Sequence, residues 1–147
     1  MNLTDHFTLE ELIHSDTAKR RGLVNIPSDE QAANLLRLAV TVLEPARVLL
    51  NCPMKINSGF RSPALNFAIG GNLKSQHMDG CAADFVTETV DLSDAFRRIA
   101  DSDIPFDQLI WEYKAAGDQW IHISCAKDKP PRREVLKLRA AGRKLAG

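Results

Sequence analysis

The 147-residue chain is poor in the features that would place it in several large classes of protein. Its three cysteines, Cys52, Cys81 and Cys125, are odd in number, widely spaced and free of any C-x-x-C pair. That excludes a disulfide framework and a zinc-thiolate knuckle and leaves buried free thiols as the expectation. Long apolar runs are also missing. The two longest stretches, at 35–43 and 46–50, are interrupted or bordered by Arg37, Glu44 and Arg47, so no segment has the roughly 18 uncharged residues a membrane span needs, and no integral membrane contact is expected. No sign of charge dominates. Nineteen basic and nineteen acidic residues cancel, which speaks against a nucleic-acid partner held by the overall field. With 8 Gly and 7 Pro among 44% hydrophobic residues, disorder and collagen-like repeats are excluded as well. The first residues, Met1-Asn2-Leu3-Thr4-Asp5-His6-Phe7, hold neither a basic nor an apolar leader region, so synthesis in a cytoplasm without a signal peptide is expected.

The charge balance conceals a split. From Lys127 to Gly147 eight basic residues face two acidic ones, a net +6 segment on a net −6 body. Residues 128–147 therefore form a basic tail, expected to be a solvated helix, beyond a single domain over 1–127.

Local signals organise that domain. Thr8-Leu9-Glu10-Glu11 fits a capping box and predicts a short helix over 9–14. Ser28-Asp29-Glu30-Gln31 repeats the signal and opens a core helix over 29–49, expected to bury Ala32, Leu35, Leu36, Ala39, Val42 and Leu43, with a kink or break at Pro45. Residues 54–60 alternate as a strand, Arg61-Ser62-Pro63 turns into a brief helical segment ending at Gly70-Gly71, and a second strand is expected over 82–86. A capped amphipathic helix over 91–99 precedes two strand patterns, 107–113 and 120–125, joined as a hairpin by Lys114-Ala115-Ala116-Gly117-Asp118. Helices grouped early and strands late predict an α+β fold, a small antiparallel sheet with helices covering one face.

Of four histidines, His77 and His122 fall where the chain leaves or forms strands. With Asp84 they make a His₂Asp set of the kind that binds zinc through imidazole nitrogen and carboxylate oxygen. Gly80 permits a turn that brings Asp84 back toward His77. The spacing alone is more often that of surface or satisfied histidines. His6 and His14 read as solvent-side, Cys81 and Cys125 as small buried residues, and Trp111 and Trp120 as core or cleft wall.

Ser75, His77, Gly80, Ala82 and Asp84 form S-x-H-x-x-G-x-A-x-D, which resembles the first zinc motif of the M15 metallopeptidases. These include zinc D-alanyl-D-alanine carboxypeptidases, vancomycin-resistance dipeptidases and phage endolysins. Ser58-Gly59-Phe60-Arg61-Ser62 resembles the family's S-G-[YF]-R-S segment, and Trp120-Ile121-His122 its W-x-H strand. The likeness to the short, phage-associated subgroup continues through Phe7-Thr8-Leu9-Glu10-Glu11-Leu12, Ser15-Asp16-Thr17-Ala18, Asn25-Ile26-Pro27, Leu65-Asn66 and Gly70-Gly71, covering 7–127.

The resemblance implies a hedgehog/D-Ala-D-Ala peptidase-like fold and one zinc ion on His77, Asp84 and His122. It gives Arg61 a role in binding substrate and polarising its carbonyl, where the residue alone reads as a structural ion pair. Ser75 is a substrate contact, a group orienting His77, or a turn hydroxyl. Many M15 enzymes carry a basic Glu three positions before the second zinc histidine; here that slot is Gln119, beside Asp118. If Tyr113 pairs with Gln119, Glu112 lies opposite Trp120 and diagonal to His122 on the same face, which makes Glu112 the expected base. The implied function is a zinc peptidase cutting peptidoglycan stem peptides, as a carboxypeptidase or an endolysin-type endopeptidase. It would be a monomer acting on the wall after release or as a phage component. The alternatives are a non-catalytic zinc-stabilised module of the same fold and, less favoured, a wall binder using the basic tail.

Overall fold

The computed structural model describes residues 1–140. Six helices and five strands follow in the order α1 (Leu9–Ile13), α2 (Asp16–Arg21), α3 (Asp29–Leu38), α4 (Glu44–Leu50), β1 (Met54–Ser58), α5 (Pro63–Ala68), β2 (Ala82–Thr87), α6 (Leu92–Ala100), β3 (Gln108–Tyr113), β4 (Gln119–Ser124) and β5 (Glu134–Arg139). Both capping boxes form. Thr8 Oγ1 accepts from the Glu11 amide while Glu11 accepts from the Thr8 amide, and Ser28 and Gln31 do the same at α3. No helix of the described residues is long and apolar enough to cross a membrane.

The predicted core helix is present, but Leu36, expected in the core, is 43% exposed beside the buried Leu35, and Pro45 neither breaks the helix nor stands in a simple kink. A π-helical turn, Ala39–Leu43, joins α3 to α4 and places Pro45 in the first turn of α4. Proline has no amide hydrogen and its ring crowds the preceding turn; widening that turn accommodates both. Helix α2 was not expected from the sequence. Its signals are local: Ser15 Oγ accepts from the Ala18 amide, and Gly22 closes the end at φ 65°. At α6 the expected cap is absent, since the Asp91 carboxylate accepts from the Ser93 hydroxyl.

The strands lie in the order β1-β2-β4-β3-β5. Every pair is antiparallel except β3 with β5, which is parallel, so the sheet is mixed where an antiparallel one was expected. The same strand corrects the tail. Residues 134–139, expected to be helical, form β5 instead, while 141–147 lie outside the described residues. The cause is tertiary: β3 would otherwise present an unpaired edge, and Glu134-Val135-Leu136-Lys137-Leu138-Arg139 alternates well enough to cover it.

One face of the sheet is packed by the helices. Ala83 and Phe85 of β2, Leu109 of β3 and Ile121 and Ile123 of β4 join Phe7, Leu12, Leu35, Leu38, Val42, Leu43 and Ile99 in a single buried cluster. Strand alternation sends the intervening residues, Asp84, Ile110, Glu112, Trp120 and His122, to the opposite face. Polar chemistry is thereby separated from the core by the thickness of one sheet.

Candidate metal centre

Asp84 and His122 are direct cross-strand partners on β2 and β4. The His122 Nδ1 atom lies 3.0 Å from Asp84 Oδ1. The third member comes from a 3₁₀ turn, Gln76–Asp79, that precedes β2. Ser75 Oγ accepts from the His77 amide at its start, and Gly80 at φ 78° reverses the chain at its end. A Cβ at Gly80 would stand 2.5 Å from the Gln31 carbonyl oxygen, because α3 grips this turn closely: Gln31 donates to the Met78 carbonyl and Asn34 to that of Asp79. His77 Nε2 is thus delivered to 3.3 Å from Asp84 Oδ1. One ligand atom from each of His77, Asp84 and His122 falls within 4.8 Å of the others, and the group could hold a metal ion.

The fit can be judged from unpaired polar atoms. Among the described residues five buried side-chain atoms have no hydrogen-bond partner, and four of them, on Gln76, His77, Glu112 and Trp120, belong to the ligand turn or to the site face of the sheet. A buried imidazole nitrogen left unpaired costs on the order of 1–3 kcal/mol, so His77 Nε2 is an atom that calls for a partner. Its tautomer is set from behind: His77 Nδ1 donates to the Gly59 carbonyl at 2.7 Å, which leaves Nε2 as a bare acceptor. Burial lowers the His77 pKa to about 4, opposed by Asp84, so the ring is neutral as a ligand must be. Burial would raise Asp84, but the two histidines beside it outweigh that and hold the carboxyl below its ordinary range. Imidazole nitrogens and a carboxylate oxygen are the donor chemistry of a zinc site.

Arg61, only 3% exposed, is the ion-pair partner of this carboxylate, its Nη2 lying 3.4 Å from Asp84 Oδ2. The guanidinium also donates from Nε to Ser58 Oγ and from Nη1 to Asn66 Oδ1. Ser58 faces the site because β1 carries a bulge: Ile56 pairs with Phe85 and Ser58 with Asp84, two residues against one, which moves Ser58 from the helix-covered side to the site side. Burial lowers the Arg61 pKa, with Asp84 and Glu112 opposing.

The hairpin register is the one that brings Glu112 to the site face. Tyr113 pairs with Gln119, Glu112 with Trp120 and Ile110 with His122. Glu112 is 1% exposed with Oε1 unpaired, and burial, helped by the negative Asp84, pushes its carboxyl up to about 7. Gln119 points the other way, its Oε1 accepting from Trp111 Nε1 on the opposite face. Asp118 stays in the exposed turn, where its carbonyl accepts from the Lys114 amide. Of the two carboxylates weighed in the sequence, only Glu112 lies on the ligands' face.

Ser75 caps the ligand turn and also lines a cleft of about 380 Å³ with His122, Ile110, Gln76, Lys74 and Arg132. His6 and His14 are apart from the site, paired with Glu44 and Asp16, and the three cysteines are buried and free. Two residues that hold the site together were given no role from the sequence, although Asn25 lies in the family-like Asn25-Ile26-Pro27 segment. Asn25 accepts from the Ser62 amide and donates to the Ile13 and Phe60 carbonyls, fixing the segment around Arg61. Asp107, fully buried, accepts from Gln76 of the ligand turn and from Arg132. Neither role carried a local sign, because their partners lie 12 or more residues away.

An α+β domain whose sheet exposes a buried His-Asp-His triad beside an elevated carboxyl has the make-up of a metal-dependent hydrolase. The chain belongs to the peptidase M15 family, whose model matches residues 5–124. Peptidases of that family are zinc-dependent, which places this chain among the metallopeptidases. No match is found among curated proteins.

Proposed function

We propose that this chain is a zinc peptidase that hydrolyses a peptide bond in the stem peptides of bacterial peptidoglycan, as a D-Ala-D-Ala carboxypeptidase or an endolysin-type endopeptidase. The observation that carries the reading is the convergence of His77, Asp84 and His122 with the unpaired buried carboxyl of Glu112 on one sheet face. His77, Asp84 and His122 hold one zinc ion. A zinc ion with an open coordination position lowers the pKa of water to about 7 and polarises a carbonyl.

Glu112 takes the proton from the attacking water and passes it to the leaving amine nitrogen. A buried carboxyl with an unpaired oxygen on the ligands' face is placed for both transfers. Arg61 fixes Asp84 and holds a permanent positive charge beside the site, which favours negative charge developing on the substrate carbonyl oxygen. Ser75 orients His77 through its amide and borders the cleft where peptide binds. The protein acts as a monomer on the wall, after release from a cell or as a phage component.

Gln119 favours a second reading, a zinc-stabilised module without turnover, because the position at which many M15 enzymes carry their base holds an amide bonded to Trp111. One experiment separates the two: mass spectrometry of fragments released from purified peptidoglycan by the zinc-loaded protein and by its Glu112→Gln variant. Cleavage products from the wild type alone support the peptidase and identify the bond. Zinc-loaded wild-type protein that releases nothing from several wall chemotypes leaves the non-catalytic module.

A further inference from the structure

The region that matches the family ends at residue 124, yet the cleft beside His122 is walled partly by residues beyond it. After β4 the chain crosses the start of β3, where the Arg133 amide donates to the Phe106 carbonyl and the Glu134 amide to that of Asp107. Arg132 is pinned there: its backbone amide, Nε and Nη2 all donate to the buried Asp107 carboxylate at 2.7–3.1 Å. β5 then runs parallel to β3 with Leu136 opposite Ile110 and Leu138 opposite Glu112. Those two leucines face the cleft, whereas Lys137 turns to the other side and lies over the Trp111 ring at 4.5 Å.

The placement is unusual for an edge strand, which is normally blunted by charge. Here Lys137 and Arg139 are on the face away from the cleft, Glu134 is held at the start of the strand by Gln108, and Leu138 keeps 39% of its surface exposed beside the site. Ile110, Leu136 and Leu138 give the cleft an apolar side; the rest of its lining is polar, including His122 and the cationic Lys74 and Arg132. An apolar wall facing a few polar groups is the make-up of a pocket that selects a side chain.

Resting on the peptidase reading above, we propose that β5 is a working wall of the substrate cleft, and that Leu136 and Leu138 set a preference for an aliphatic side chain on the residue flanking the scissile bond. The wall acts through contact with substrate, and Arg132 acts by holding the strand against β3.

The test uses full-length zinc-loaded protein and a set of synthetic stem peptides in which each residue in turn is replaced by glycine. The ratio of kcat/KM for a parent peptide to that for its glycine analogue is read for wild type, Leu138→Ser, Leu136→Ala and Leu138→Trp; because it is a ratio, it is insensitive to the fraction of folded enzyme. Wild type is expected to favour the aliphatic residue at one flanking position by about 10-fold or more. Leu138→Ser and Leu136→Ala should bring that ratio toward one, and Leu138→Trp, which narrows the cleft, should invert it toward glycine. In parallel, leucine-methyl NMR of the zinc-loaded Glu112→Gln protein follows Leu136 and Leu138 as the parent peptide is added. Cleavage with unchanged ratios and unmoved methyls overturns the β5 proposal and leaves the peptidase reading standing. Without cleavage, methyl shifts that saturate with the parent peptide, and more weakly with the glycine analogue, keep the wall and end the peptidase reading. Neither cleavage nor shifts overturns both.

Discussion

Glu112 concentrates the chemistry proposed for this site in one side chain. Removing its charge without changing its shape is expected to lower kcat/KM by about 10²–10⁴-fold, while zinc content measured by atomic emission stays at the wild-type level, since Glu112 is not one of the ligand triad. The same residue makes a prediction about the metal-free protein. Its carboxyl is held near pKa 7 by burial, against an ordinary value of 4.5. A group whose folded pKa is raised contributes stability that is fully present below the unfolded value and is lost as pH rises through the folded one. Urea midpoints of the metal-free wild type should therefore fall relative to those of Glu112→Gln between about pH 4.5 and 7, and a constant difference across that window would refute the assignment. Using the difference removes the opposing slope from His77, whose depressed pKa near 4 is common to both proteins.

At the scale of elements, two contacts decide whether the site's parts meet. Gly59 lies where β1 gives way to the Arg61 segment, so close to α1 that a Cβ would stand 2.1 Å from the Leu12 carbonyl oxygen. Its own carbonyl accepts from His77 Nδ1. Gly59→Ala should cost on the order of 3 kcal/mol in chemical denaturation and weaken zinc binding as well, measured by competition with a chromophoric chelator. The second contact joins the β4–β5 crossing to β3 and the ligand turn through Asp107. Hydrogen bonds from Arg132, opposed by burial, hold its carboxyl down to about 2. With a depressed folded pKa, its contribution is present above the unfolded value of 3.8 and disappears as pH falls through about 2. Arg132→Ala is thus expected to destabilise the protein by about 2–3 kcal/mol at neutral pH, and by progressively less as pH falls below 3.8. A loss that did not shrink in acid would assign Arg132 a packing role only.

For the whole molecule, metal and fold are coupled, because the ligands come from a turn and two strands that meet only in the native state. A ligand that binds only the native state at 100 times its dissociation constant adds about 2.7 kcal/mol. Stripping zinc with a chelator should lower the thermal midpoint by several degrees, and His77→Ala should abolish that shift. Identical midpoints with and without chelator would dissociate the triad from metal binding.

How much of this was legible beforehand follows from how far apart the interacting residues lie in the chain. The capping boxes, the strand alternation that opens at Met54 and the hairpin around Gly117 are written in neighbouring residues, so most of the elements and the α+β class were readable. The order of ligand-bearing segments, matched to a family pattern, marked His77, Asp84 and His122 without coordinates. Four things were decided only by tertiary structure. The hairpin register determined which carboxylate reached the site, since a one-residue slip would have sent Glu112 to the helix-covered face. The β1 bulge brought Ser58 to Arg61. The Asn25 and Asp107 clamps depend on partners remote in sequence. The basic segment became a strand because the edge of β3 was available to pair with it. Local propensity is short-ranged, whereas the partner that satisfies a strand edge or a buried carboxylate is supplied by the rest of the fold.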